Sequence, residues 1–125
     1  MRPPAATLTP QELAIMKVVW KLGAATVRDV YEQLRARRTI AYTTVMTMMK
    51  ILEQKGYVTK SRHERAFVYK PARPRQQVIG AMVREFVDRV FDGASRPMLV
   101  HLVRQTKLSD KERKALLRAI EEVEE

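Results

Sequence analysis

A row of polar side chains recurs along one segment near the middle of the chain. Thr43, Thr47 and Lys50 follow the spacing i, i+4, i+7, so a helix would expose all three on one side, with Tyr42 and Met46 flanking them. Threonine lowers helix stability, so it is a costly choice for a face that meets only water. Its hydroxyl can hydrogen-bond a base edge, and its methyl can pack on a thymine methyl. The row indicates contact with DNA bases; the alternative is a tolerated β-branched surface.

Basic residues follow this helix in a second cluster. The segments 57–60 and 66–69 alternate well enough for two antiparallel strands. The cations at or near the tip between them are Lys60, Arg62, His63 and Arg65. Such side chains neutralise DNA phosphates without distinguishing bases. Arg37 and Arg38 end an earlier helix, where they suit either phosphate contact or the negative end of the helix.

Capping signals place three helices before this hairpin. Thr9 and Glu12 form a capping box for the first helix, and Thr26 caps the second, with Asp29 at the capping-box position. The third is expected from about Ala41 to Lys55, where Gly56 supplies a left-handed cap. Its predicted buried side consists of Ala41, Val45, Met48, Met49 and Leu52.

Three helices and a hairpin predict a mainly α protein with a winged helix-turn-helix, whose antiparallel wing has two or three strands. Phe67 and Tyr69 are expected to share one face of the wing and to pack on the helices. We predict a DNA-binding winged-helix domain at residues 1–72 and a helical dimerisation region at residues 73–125. A ferredoxin-like or ribosomal α+β fold would need more strand than this chain offers.

Charge divides the chain in the same way. Residues 1–75 contain 15 Lys and Arg but 5 Asp and Glu, whereas residues 76–125 contain 9 of each kind. The entire net charge of +10 therefore lies in the first part. A basic segment beside a neutral helical one indicates a polyanion-binding domain joined to an assembly domain; the alternative is a basic surface without a specific partner.

The second part carries more apolar side chains than about fifty residues in short helices could bury alone. We expect a symmetric dimer to cover them; the alternative is that the helices fold back on the winged helix. The residues assigned to dimerisation are Ile79, Met82, Val83, Phe86, Val90, Met98, Leu99, Leu102, Leu116, Leu117 and Ile120.

Other chemistry finds little support in the sequence. The chain has no cysteine, His63 and His101 lie far apart, and its four glycines form no phosphate-binding loop. We therefore expect no enzyme, no metal site and no cofactor. No apolar run approaches the ~20 residues of a membrane span, and the first ten residues contain no secretory signal, so a cytoplasmic protein without membrane insertion is expected.

Several motifs together resemble the penicillinase-repressor family (BlaI/MecI). The segments are LTPQELAIMKVVWKLGAATVRDVYEQL, AYTTVMTMMKILEQKGYV, RAFVYKP and the LSDKE turn, so the likeness spans nearly the whole chain. The family implies a bacterial homodimeric repressor of β-lactamase or related genes that binds double-stranded operator DNA with inverted-repeat symmetry. Carried onto this sequence, its base-contacting positions are Thr43, Thr44, Met46, Thr47 and Lys50, with wing contacts from Arg62 to Arg65.

The family also implies relief of repression through a membrane sensor protease pathway. Cleavage in the family falls at an Asn–Phe step within the dimerisation region, and the matching position here is His101–Leu102. This departure leaves the same cleavage open to question. An alternative hypothesis is a small-molecule sensor with a ligand pocket in the dimer region, although residues 76–105 offer few convergent polar groups.

Overall fold

The computed structural model describes residues 8–123 and confirms a mainly helical winged-helix fold. Its elements run in the order α1 (Pro10–Leu22), α2 (Val27–Arg35), α3 (Tyr42–Gln54), β1 (Val58–His63), β2 (Ala66–Pro71), α4 (Arg75–Phe91), α5 (Ser95–Gln105) and α6 (Asp110–Val123). None of these helices is long and apolar enough to cross a membrane.

The predicted capping boxes are present at the starts of α1 and α2. The Thr9 hydroxyl accepts from the Glu12 backbone N–H while the Glu12 carboxylate accepts from the Thr9 N–H. Thr26 and Asp29 repeat this arrangement. Each pair satisfies two N–H groups that a helix start would otherwise leave without partners.

The hairpin is longer than the sequence indicated. β1 pairs antiparallel with β2 from Val58↔Pro71 to His63↔Ala66, so Arg62 and His63 belong to a strand and only residues 64 and 65 form the turn. Glu64 has a φ of 57°, which suits a tight turn that matches the strand twist. Ala25, in the link between α1 and α2, adds one antiparallel bridge to Tyr69.

One hydrophobic core holds the first three helices against the hairpin. Its fully buried members are Ile15, Met16, Val19, Val30, Val45, Met49 and Leu52, with Tyr57, Val58 and Tyr69 closing it from the hairpin. Two predictions about this core were wrong. Ala41 is exposed because it is the N-cap of α3, and Phe67 is 45 % exposed because its part of the hairpin extends beyond the helices.

The described chain divides into two compact units, one up to Met82 and one from Val83. In the second unit Val87, Val103 and Ile120 are buried. Ser109 and Glu112 form a capping box before α6. Ser95 is the first residue of α5, and Ala94 occupies the N-cap without a side-chain bond. The predicted functional division at residue 72 stays a prediction.

Candidate nucleic-acid interface

The outward face of α3 carries the predicted polar row. Thr43, Thr47 and Lys50 are exposed, whereas Thr44 is half-buried beside them. Tyr42 and Met46 are also exposed, at 37 % and 39 %, which is high for large apolar side chains. Because Val45, Met49 and Leu52 fix the opposite face in the core, the helix cannot rotate this row inward without emptying the core.

One face of the hairpin adjoins this row. Lys60, Arg62, Phe67 and Tyr69 share that face, since Arg62 is opposite Phe67 and Lys60 is opposite Tyr69 in the ladder. A groove of about 590 Å³ separates it from α3, with Met46 and Lys50 on one wall and Lys60 and Phe67 on the other. None of the described lining residues is acidic, so a polyanion would meet cations without an opposing carboxylate on the groove wall.

A cluster at the start of α3 completes the groove. The Tyr31 and Tyr42 rings meet edge to face with centroids 5.3 Å apart. The Arg28 guanidinium lies 5.9 Å from the Tyr42 ring centroid, and Arg28 also lines the groove. Arg28 was not among the contacts predicted from the sequence, although a cation in the first turn of α2 is a signal that could have found it.

The predicted phosphate contacts fall in two places. Lys60 and Arg65 line the groove beside α3, and Arg65 and His63 also line the outer surface of the hairpin turn. Arg37 and Arg38 instead line a separate groove of about 350 Å³ with Lys17 and Lys21 of α1. The structure therefore places Lys60 and Arg65 in the same groove as Lys50 of the α3 row and places the two arginines elsewhere.

A buried ion pair anchors the far end of α3. The Lys55 ammonium, at the C-cap, donates to both Glu12 carboxylate oxygens at 2.9 Å, and Glu12 is 3 % exposed. Burial raises the pKa of the Glu12 carboxyl, but the hydrogen bonds from the Thr9 backbone and from Lys55 outweigh it, so the pKa lies below its ordinary value. The carboxylate thus joins the start of α1 to the end of the polar helix.

A second ion pair links α3 to the hairpin. The Lys60 ammonium lies 3.6 Å from a Glu53 carboxylate oxygen. Burial raises the pKa of the neighbouring Tyr69 phenol; the Lys60 charge opposes this shift and the Glu53 charge adds to it. Tyr69 therefore stays neutral at physiological pH as a core residue of the hairpin base.

The residues assigned to dimerisation occupy several environments. Ile79, Met98, Leu99 and Leu117 are half-buried, Met82 packs against the N-terminal core, and Ile120 is 8 % exposed. The remaining five apolar side chains are between 43 % and 50 % exposed: Val83, Phe86, Val90, Leu102 and Leu116. His101 and Leu102, the predicted cleavage position, lie exposed within α5. No cluster of metal-ligating side chains occurs within residues 8–123.

Comparison with known proteins identifies the family. The penicillinase repressor family model matches residues 8–122, which is nearly the entire described chain. The chain belongs to the penicillinase repressor family. This membership confirms the resemblance seen in the motifs and makes the protein a transcriptional repressor rather than an enzyme.

Individual relatives agree with this assignment. The chain is 37 % identical over 115 residues to the transcriptional regulator BlaI of Mycobacterium tuberculosis, covering 90 % of this chain and 82 % of that protein. It is 28 % identical over 115 residues to the penicillinase repressor of Bacillus licheniformis, covering 92 % and 90 % of the two chains.

Two solved structures of BlaI each cover more than half of the chain. The solution structure of the DNA-binding domain of the repressor BlaI superposes with a TM-score of 0.53 at 29 % identity, covering 60 % of this chain and 90 % of that one. Monomeric BlaI of Bacillus licheniformis, solved in complex with the blaP half-operator, superposes with a TM-score of 0.50 at 30 % identity, covering 56 % and 85 %.

Proposed function

We propose that this repressor binds operator DNA as a homodimer and inserts α3 into the major groove. The observation that carries the proposal is the exposed row of Thr43, Thr47 and Lys50 on α3. Lys50 of this row also lines a groove with the hairpin cations Lys60 and Arg65, and none of the described lining residues is acidic. The similarity to a BlaI structure solved with a half-operator supports the same use of this domain. An α-helix fits the major groove, where each base pair presents a distinct pattern of donors and acceptors.

The two kinds of side chain divide the work of binding. Lys60, Arg62, His63 and Arg65 contact phosphates and supply affinity that depends on salt but not on sequence. The α3 row distinguishes bases. A change of base pair removes the donor, acceptor or methyl group that a threonine or lysine of this row contacts. Thr44 lies half-buried, so within α3 we assign it a backbone-contacting role rather than base recognition. Arg37 and Arg38 would contact phosphate only from their separate groove.

Dimerisation through the C-terminal helices would place two copies of α3 on an inverted repeat. Five half-exposed apolar side chains in the second unit support this, because exposing apolar surface to water is unfavourable for a monomer. They are Val83, Phe86, Val90, Leu102 and Leu116. A dimer binds two half-sites about one helical turn or a multiple apart, and the linkage raises affinity without new contacts. Anything that separates the copies then releases the DNA.

Proteolysis by a sensor pathway would separate the copies by cutting the dimerisation region. His101 and Leu102 are exposed, which suits attack, but they lie inside the α5 helix. A protease binds an extended chain, so this segment would have to unwind locally before cleavage. We propose that the repressor acts in the cytoplasm, since its target is promoter DNA.

The test separates base recognition from phosphate contact. An operator is first obtained by selecting bound duplexes from a randomised pool, and affinity is then measured on that duplex and on unrelated duplex. Lys50→Ala and Thr47→Ala should each weaken operator binding by about 1–3 kcal/mol and change non-specific binding far less. Lys114→Ala, which removes an exposed lysine from α6, is the matched control. Equal losses on both duplexes would rule out base recognition by this row.

A further inference from the structure

Phe67 is an aromatic side chain in an unusual place. It lies on the hairpin near the turn and remains 45 % exposed, while its neighbour on the same face, Tyr69, is 4 % exposed within the core. Phe67 is not a member of the hydrophobic core, so core packing does not account for a phenylalanine at this position.

Two cations lie over the Phe67 ring. The Lys60 ammonium is 4.5 Å from the ring centroid, and the Arg62 guanidinium carbon is 5.8 Å away. Both distances fall within the ~6 Å range of attraction between a cation and the negative face of an aromatic ring. The strand register explains why both cations lie near the ring, because Arg62 is the direct cross-strand partner of Phe67 and Lys60 shares their face.

We propose that Phe67 is a positioning residue that holds Lys60 and Arg62 ready for the DNA backbone, alongside the Glu53 carboxylate, which lies 3.6 Å from the Lys60 ammonium. The inference rests on the proposed DNA-binding function and adds a residue to it. Lysine and arginine lose much side-chain freedom on binding, and a ring that restricts them beforehand reduces that loss. The Arg62 Nε–H donates to the Glu64 carbonyl at 3.4 Å. Stacking on the ring leaves the terminal N–H groups of the guanidinium able to donate to phosphate oxygens. The ring strengthens binding without itself distinguishing bases.

The first experiment compares Phe67→Leu, which removes the ring and keeps an apolar side chain, with Phe67→Tyr, which keeps the ring. Affinity for the selected operator and for unrelated duplex is measured at several salt concentrations. We expect Phe67→Leu to weaken both by about threefold to tenfold, and Phe67→Tyr to bind like the wild type. Losing one well-placed phosphate contact should also flatten the plot of log affinity against log salt by about 0.9.

A second measurement tests whether the ring acts through the two cations. In a Lys60→Ala/Arg62→Ala background, Phe67→Leu should have no further effect on affinity. If Phe67→Leu still weakens affinity by the full amount in that background, the proposal is overturned. A loss of affinity confined to the operator, with an unchanged salt slope, would also overturn it, since the ring would then contact a base. Thermal unfolding of Phe67→Leu should match the wild type, which excludes misfolding as the cause.

A third measurement uses the free protein and so separates this proposal from the proposed function. A proton above a ring face is shielded, so the NMR signals of the Lys60 side-chain methylenes should lie upfield in the wild type and in Phe67→Tyr. They should return to ordinary positions in Phe67→Leu. Unshielded Lys60 protons in the wild type would refute the stacked arrangement. A wild type that shows shielding but does not bind DNA would refute the proposed function instead.

Discussion

The ion pair between Glu12 and Lys55 allows a sharp prediction about stability. Replacing Glu12 with glutamine keeps an amide oxygen that can accept from the Thr9 N–H, so the capping box survives. It removes the negative charge that receives the Lys55 ammonium at 2.9 Å. Glu12→Ala removes both interactions, so the two variants separate the charge from the cap.

The expected size follows from the burial of each partner. Breaking a fully buried pair costs about 3–5 kcal/mol, but the Lys55 side chain is 25 % exposed and can partly rehydrate. We therefore expect Glu12→Gln to lower the free energy of unfolding by about 1–2 kcal/mol at pH 7. Glu12→Ala should cost about 1 kcal/mol more, the usual effect of losing a cap.

The pH dependence gives the sign of the effect. Because the folded-state pKa of Glu12 lies below its ordinary value of 4.5, the carboxylate stabilises the fold fully above that pH. This contribution is lost as the pH falls through the folded-state pKa. The difference between the wild type and Glu12→Gln should therefore be constant near neutral pH and shrink below about pH 4.5, because glutamine does not titrate.

The assay is urea unfolding followed by fluorescence at fixed protein concentration. Trp20 is the sole tryptophan of the chain, and its indole N–H donates to the Arg73 carbonyl at 3.0 Å, so its emission follows the unit that contains the ion pair. Glu32→Gln removes an exposed carboxylate and serves as the control. A Glu12→Gln deficit that stays the same from pH 7 to pH 3 would refute the assignment of the effect to the carboxylate charge.

Three further predictions concern assembly and backbone conformation. Val90→Asp or Leu116→Asp should convert the proposed dimer to monomers in sedimentation experiments, because a charge would be buried at the interface, whereas the surface change Lys114→Asp should leave the dimer intact. Gly56→Ala should destabilise the fold by about 1 kcal/mol in urea unfolding, since its φ is 85°. Gly80→Ala should instead stabilise it by up to ~1 kcal/mol, because Gly80 lies inside α4 and no described atom is within 4 Å of an added Cβ.

Local rules in the sequence predicted the helices well. Thr9 with Glu12, and Thr26 with Asp29, marked helix starts because capping depends on residues only three positions apart. The exposed row on α3 followed from helical periodicity alone. Family membership was likewise visible in motifs, since they extend over nearly the whole chain.

Features that depend on distant residues were missed. Glu12 and Lys55 are separated by 43 positions, and neither capping rules nor periodicity indicates that one side chain serves both the start of α1 and the end of α3. Phe67 looked like a core residue because it alternates with Tyr69. Alternation shows which side chains share a face, but it cannot show where the hairpin extends beyond the helices. The same limit applies to Arg37 and Arg38, whose separate groove depends on how α1 packs beside α2.

The start of α3 differs from the starts of α1 and α2 in a way that suits DNA. Those helices open with capping boxes that bring a carboxylate to the first turn. In α3 the N-cap is Ala41, without a side-chain cap bond, and the first turn contains no acidic residue. A cap and a carboxylate would stabilise the isolated helix. However, the carboxylate would repel phosphates, and both groups would occupy the N–H groups at the positive end of the helix. Tertiary contacts stabilise α3 instead. Tyr31 packs against Tyr42 at its start, and Glu12 pairs with Lys55 at its end. Contacts therefore hold the helix at both ends, while its N-terminal turn has no side-chain cap, as the proposed contact with the DNA backbone requires.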